Sequence, residues 1–260
     1  MSVTGGTLEA VLRRDRALVV GGLVVVAGLA WVYLWRMARD MAAMDMSPMS
    51  MPDMHPWKAA DVGALVVMWG VMMVAMMVPS AAPMILTFAT ASRRRAEARQ
   101  PYVPTAVFVL GYVLVWTAFS VGAGLLQWAL HVLALLSPMM ASTSPVLGGL
   151  LLVAAGVYQW TPLKFACLAS CRSPLSFLMT EWREGRRGAL VMGVRHGAFC
   201  LGCCWLLMGL LFVAGVMNLL WVAAIAAVVL AEKALPQGEW VARAGGTLLV
   251  AWGLMTLFGS

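Results

Sequence analysis

The chain has 260 residues, of which 62% are hydrophobic and 11% charged, with a mean hydropathy of +0.88. This composition lies outside the range of water-soluble domains and excludes a soluble enzyme. The net charge of +7 does not mark a nucleic-acid surface, because the basic residues fall in short segments between apolar runs, where membrane topology accounts for them.

A helix needs about 20 apolar residues to cross the hydrocarbon core, and seven stretches are expected to do so. In chain order they are Ala17–Trp35, Val62–Phe88, Val103–Leu130, Pro145–Trp160, Gly197–Val216, Leu219–Ala231 and Gly245–Phe258. The first reads as a retained anchor, since Arg36 and Arg39 follow it without a small-x-small cleavage site. Arg13, Arg14, Arg16, Arg93, Arg94, Arg95, Arg99, Lys164, Arg172, Arg183, Arg186, Arg187, Arg195, Lys233 and Arg243 then lie on one side. Only Arg36, Arg39 and Lys58 lie on the other. The positive-inside bias puts the N-terminus in the cytoplasm. The expected fold is all-α, a polytopic transmembrane helical bundle of about seven spans. Residues 1–40 form an anchor helix, 41–61 an outer Met-rich loop and 62–260 the transmembrane domain. The expected location is a bacterial inner membrane, multi-pass in the lipid bilayer, with the loop on the periplasmic face.

Twelve of the 21 methionines lie between Met41 and Met84. Met41, Met44, Met46, Met49, Met51 and Met54 alternate with polar residues and prolines and end at His55, beside Asp40, Asp45 and Asp53. A solvated loop has no core for these side chains to fill. Thioether sulfur is a soft, uncharged ligand that selects Cu(I), so the loop reads as a Cu(I) site. Met68, Met72, Met73, Met76 and Met77 lie inside the second span. They suit either a continuation of that site or core packing, for which methionine is a flexible filler. Pro79 and Pro83 are expected to kink this span.

All five cysteines lie in the second half. Cys167 and Cys171 are spaced i, i+4 after the fourth span. His196, Cys200 and Cys203 fall on one helix face, with Cys204 a step round, a soft-metal half-site by spacing or buried thiols packed as small hydrophobes. Cys167 and Cys171 would complete an all-thiolate cluster if the two segments meet; a disulfide or two buried thiols are the alternatives. Glu232 and Lys233, before Pro236, read as a charged end-cap of the sixth span, with Glu232 facing the bundle as the other option. Trp31, Trp35, Trp57, Trp116, Trp160, Trp221 and Trp240 read as interface anchors. There is no Walker A sequence, no C-x-x-C-H haem site and no H-E-x-x-H pair, so the expected role is non-enzymatic.

Four segments carry a family resemblance: Met72–Met84 (MMVAMMVPSAAPM), Tyr158–Pro174 (YQWTPLKFACLASCRSP), Arg195–Trp205 (RHGAFCLGCCW) and Ala231–Lys233 (AEK). The chain resembles, over roughly residues 60–258, a bacterial family of predicted metal-binding integral membrane proteins, formerly grouped as a domain of unknown function. One branch is associated with a membrane polyphenol oxidase (tyrosinase) as its proposed copper chaperone. By motif the resemblance implies Met72, Met73, Met76, Met77, Cys167, Cys171, His196, Cys200, Cys203 and Cys204 as the metal-handling positions. The expected function is capture of Cu(I) for delivery to a cuproenzyme client such as a tyrosinase or copper oxidase. A transmembrane thiol–disulfide relay and a non-catalytic accessory subunit of a copper oxidase are the alternatives.

Overall fold

The computed structural model describes residues 4–45, 58–98, 103–133 and 144–259. Among them are ten helices: α1 (Thr4–Asp45), α2 (Ala59–Glu97), α3 (Thr105–Val132), α4 (Pro145–Tyr158), α5 (Pro162–Arg172), α6 (Pro174–Glu181), α7 (Gly185–Gly209), α8 (Leu211–Ala214), α9 (Leu219–Ala234) and α10 (Gly238–Phe258). The described fold is all-helical, and large apolar side chains such as Leu18, Val24, Leu29, Leu220, Leu248 and Phe258 stay exposed on it. A helix face of that kind is at home only in lipid.

Five helical stretches are long and apolar enough to cross a membrane, at Arg16–Asp40, Ala59–Arg95, Thr105–Val132, Gly185–Ala214 and Gly238–Phe258. A sixth is added if α4 and α5, bent by 64° at their junction, are one broken span. The expected fourth span is thus a 14-residue helix that breaks, and the expected sixth is α9, with 16 residues. The break has a local cause. Thr161 caps α5 through its hydroxyl, which accepts the Lys164 N–H at 3.3 Å, and Pro162 opens the new helix. Ser144-Pro145 opens α4 in the same way, and Asn218 caps α9 by accepting the Trp221 N–H. Lys58 and Asp61 open α2, with the Asp61 carboxylate taking the Lys58 N–H at 2.8 Å.

Two boundaries differ from expectation. The first helix runs on to Asp45, because Met41, Ala42, Ala43 and Met44 are good helix formers and no proline intervenes before Pro48. Helix α7 starts at Gly185, twelve residues before the expected span, and so carries Arg186, Arg187 and Arg195 on a helix. Pro79 and Pro83 lie inside α2, which is helical on both sides of them.

Glycines set the closest crossings. A Cβ on Gly193 of α7 would stand 2.1 Å from Phe108 O, and one on Gly111 of α3 would stand 2.3 Å from Leu190 O. Helices α4 and α10 meet in the same way, through Gly156 against Gly246 and Gly149 against Gly253. Small residues on facing helices let backbones approach where lipid supplies no hydrophobic drive. Helix α2 packs on α3 through a buried polar pair, with Trp69 Nε1 donating to Gln127 Oε1 at 2.6 Å. Trp116 is not an interface anchor: it is 2% exposed and lies edge-on to Phe119.

Candidate functional site

Helices α2, α3, α5, α7 and α9 converge on the cysteines. Cys200, Cys203 and Cys204 of α7 are buried to 1% exposure or less. Cys171, near the end of α5, faces Cys200 and Cys203 of α7. All five cysteines are free, so the expected disulfide alternative does not appear. From α2, Met77 Sδ stands 4.0 Å from Cys204 Sγ. Tyr112 of α3 brings its hydroxyl 3.1 Å from Cys200 Sγ and donates to Met77 O at 3.1 Å. Lys233 of α9 places Nζ 2.9 Å from Cys200 Sγ and 3.0 Å from Ser80 Oγ.

The thiols are packed rather than preset as a cage. Cys203 Sγ and Cys204 Sγ both donate to Cys200 O, at 3.1 and 3.0 Å, so they point back at their own helix. Among the described residues, no three His, Cys, Asp or Glu side chains stand in a metal-binding arrangement. What meets here is a mixed sulfur set, thiols against one thioether, together with an ammonium group. Turning the Cys203 and Cys204 side chains away from the backbone would direct their sulfurs elsewhere at the cost of two weak hydrogen bonds.

The other expected residues separate. His196 is 2% exposed and boxed by Phe108, Tyr112 and Phe177, with ring centroids 6.1, 5.7 and 5.5 Å away. Its Nδ1 has no hydrogen-bond partner. Cys167 is half-buried, its Sγ lying 2.7 Å from where a Cβ on Gly202 would be. Met68, Met72, Met73 and Met76 are 2% exposed or less and extend up α2 from Met77, over about 13 Å for nine residues at 1.5 Å each. Met41 and Met44 lie on the last turns of α1. Met46, Met49, Met51, Met54 and His55 lie outside the described residues.

A family model described as PpoB2, copper chaperone, matches residues 66–256. The chain belongs to that family. It is a copper-handling membrane protein, and the matched stretch contains every residue of the sulfur cluster. No curated protein and no solved structure matches it.

Several residues of this PpoB2-family chain enter the site without having been singled out for it. Lys164 is 0% and Glu232 1% exposed, and they pair at 2.7 Å. The same ammonium donates to Cys203 O at 3.0 Å, while Gln159 Nε2 donates to Glu232 Oε1 at 3.1 Å. Glu232 is therefore a buried acid facing the bundle, and the end-cap reading is corrected for it. Lys233, one residue on, points to the thiols. The physical cause is the 100° step between neighbours on a helix, which sends the two charges to different partners. Lys164 was counted among the loop charges, although its i+4 and i+7 spacing to Leu168 and Cys171 marks a shared face. Tyr112 carried no sequence signal beyond being a polar-tipped residue in the middle of a span.

Proposed function

We propose that this protein is a Cu(I) chaperone that takes the metal from the outer side of a bacterial inner membrane and hands it to a cuproenzyme, a tyrosinase or copper oxidase. The observation that carries the reading is the contact between Met77 Sδ and Cys204 Sγ at 4.0 Å. It joins the buried methionines of α2 to a cluster of buried thiols within a copper-chaperone family. Both ligand types are soft and favour Cu(I), and they differ in one respect: thiolate is anionic and thioether is neutral. A cargo held at first by neutral sulfur and then by thiols has two sites of unequal affinity, which gives transfer a direction.

In this scheme the outer segment with Met41, Met44, Met46, Met49, Met51, Met54 and His55 captures the ion. Met68, Met72, Met73, Met76 and Met77 accept it, and Cys171, Cys200, Cys203 and Cys204 retain it. The N-terminus is cytoplasmic in this scheme, which the distribution of basic residues supports. The protein carries cargo and does no chemistry on it.

The contact of Lys233 Nζ with Cys200 Sγ also favours a second reading, a thiol relay in which Cys200 and Cys203 exchange electrons as a redox pair. One pair of variants separates the two. Changing Met44, Met46, Met49 and Met51 to isoleucine should lower bound copper and client activity while the thiols stay reduced. A relay would be indifferent to that change and would fail with Cys200 and Cys203 as serine, showing an oxidised form in turnover. Full client activity and metal content in the methionine variant would sink the chaperone reading.

A further inference from the structure

We infer that the buried Lys164–Glu232 ion pair is a positioning device for the thiol cluster: it seats the broken helix α5 against α7 so that Cys171 reaches Cys200 and Cys203. The inference builds on the chaperone reading for its purpose, but its geometry and its first test do not involve copper.

Helix α5 is eleven residues long, bent by 64° from α4, and followed by a second short helix. So short a helix has little intrinsic stability and is held by tertiary contact. Its inward face is Lys164, Leu168 and Cys171, a stripe at i, i+4 and i+7; Lys164 and Leu168 are 0% and 1% exposed. At the first position of that stripe an apolar side chain would pack at no electrostatic cost. A buried ion pair adds little net stability over such packing, but it has direction, whereas apolar surfaces slide. The Lys164 ammonium uses that direction twice: it holds Glu232 of α9 at 2.7 Å and the Cys203 carbonyl of α7 at 3.0 Å. Gln159 braces the carboxylate from the end of α4 at 3.1 Å. Four helices are thus tied at one point, two turns along α5 from Cys171. Arg172 fixes the far end by donating to Leu235 O and Pro236 O, both at 2.7 Å. Between these two ties, Cys171 has one place to be.

The experiment uses the full-length protein in detergent, without copper. Diamide, a two-electron thiol oxidant, joins adjacent thiols by taking up their two protons and two electrons, and mass spectrometry of the digested chain counts the Cys171–Cys200 and Cys171–Cys203 disulfides. Wild type should trap readily. In K164M/E232L, where both charges are replaced by apolar groups of similar size, trapping should fall at least tenfold while thermal unfolding stays near wild type. Lys164→Arg alone, which keeps a cation facing Glu232, should retain it. Should the double variant not fold, Glu232→Asp carries the test: it keeps both charges, retracts the carboxylate by one methylene, and should lower trapping at least threefold. A second arm measures Cu(I) by competition with a chromogenic chelator. The double variant and C171S should each weaken binding, and combining them should weaken it no further. Wild-type trapping in a folded double variant, or in Glu232→Asp, overturns the inference. Loss of trapping in a protein that binds no Cu(I) in its wild-type form leaves the positioning role standing and removes the chaperone reading instead.

Discussion

The α3–α7 crossing sets how far Tyr112 stands from Cys200, and one methyl group tests it. An alanine at Gly193 would put its Cβ 2.1 Å from Phe108 O, which belongs to the backbone and cannot rotate away. Restoring an ordinary contact of about 3.2 Å requires the helices to part by about 1 Å at that point, and overpacking of this kind costs about 1–3 kcal/mol. The site lies within one to two turns of Gly193 on α7 and of Phe108 on α3. The 3.1 Å contact from the Tyr112 hydroxyl to Cys200 Sγ would therefore open to about 4 Å and weaken, while the bond from the same hydroxyl to Met77 O, which joins α3 to α2, would be kept.

Gly193→Ala should lower the unfolding midpoint of the detergent-solubilised protein by roughly 4–8 °C for a loss of 2 kcal/mol. It should also weaken Cu(I) binding measured with a competing chelator. Gly209→Ala is the control on the same helix, since a Cβ there meets nothing within 4 Å; it should change neither quantity. If Gly193→Ala is as stable as Gly209→Ala and binds metal equally well, then the α3–α7 spacing is not what sets the site.

Three further outcomes are expected. A compartment-sensitive reporter fused after Ser260 should be active only outside the cytoplasm, and one inserted in the 93–99 segment only inside; the reverse pattern would move the Met-rich segment to the wrong side for capture. A peptide covering residues 40–55 should bind Cu(I) or Ag(I) and ignore Zn(II) by titration calorimetry, because its donors are mainly neutral thioethers, and equal zinc binding would refute the soft-ligand assignment. Gln127→Leu should destabilise the protein by about 1–3 kcal/mol in thermal unfolding, since it leaves the buried Trp69 Nε1, now bonded at 2.6 Å, without its acceptor; an unchanged midpoint would mean that the indole finds another partner.

The sequence exposes those parts of the fold that depend on local pattern. Apolar runs locate the long helices, and the starts of α4 and α5 are written as Ser144-Pro145 and Thr161-Pro162. The Cys167/Cys171 and His196/Cys200/Cys203/Cys204 spacings mark two helix faces as wholes. Whether two faces meet is a question of tertiary packing, and spacing within one helix does not contain it. The approach of Cys171 to the α7 thiols rests on a break at Gln159–Thr161 and on a lysine that hydropathy assigns to a loop. Helix length misleads for the same reason: the apolar run at Gly197–Val216 stops at Arg195, but the helix continues back to Gly185, and it meets α3 through small residues, Gly193 and Gly197. Small residues score as weakly apolar, although here they are the most closely packed positions.

Glu232 and Lys233 show how much that difference between pattern and packing affects the chemistry. As a sequence they are an acid and a base side by side, a pair whose charges cancel at the end of a span. In the bundle they are separated: Glu232 is matched by Lys164, and Lys233 is left facing Cys200 and Ser80. The neutral dipeptide thereby becomes a closed ion pair plus one surplus positive charge against sulfur, in surroundings where an isolated charge is costly. In the proposed scheme, a cation arriving at the cluster meets at Cys200 a sulfur already in contact with the Lys233 ammonium. Cu(I) must then either displace the Lys233 ammonium from Cys200 or bind through neighbouring sulfurs. The α2 methionines need no such exchange, because their donors are neutral. In the proposed scheme, entry by thioether and retention by thiol are therefore electrostatically different steps, and the Lys233 contact lies at the boundary between them.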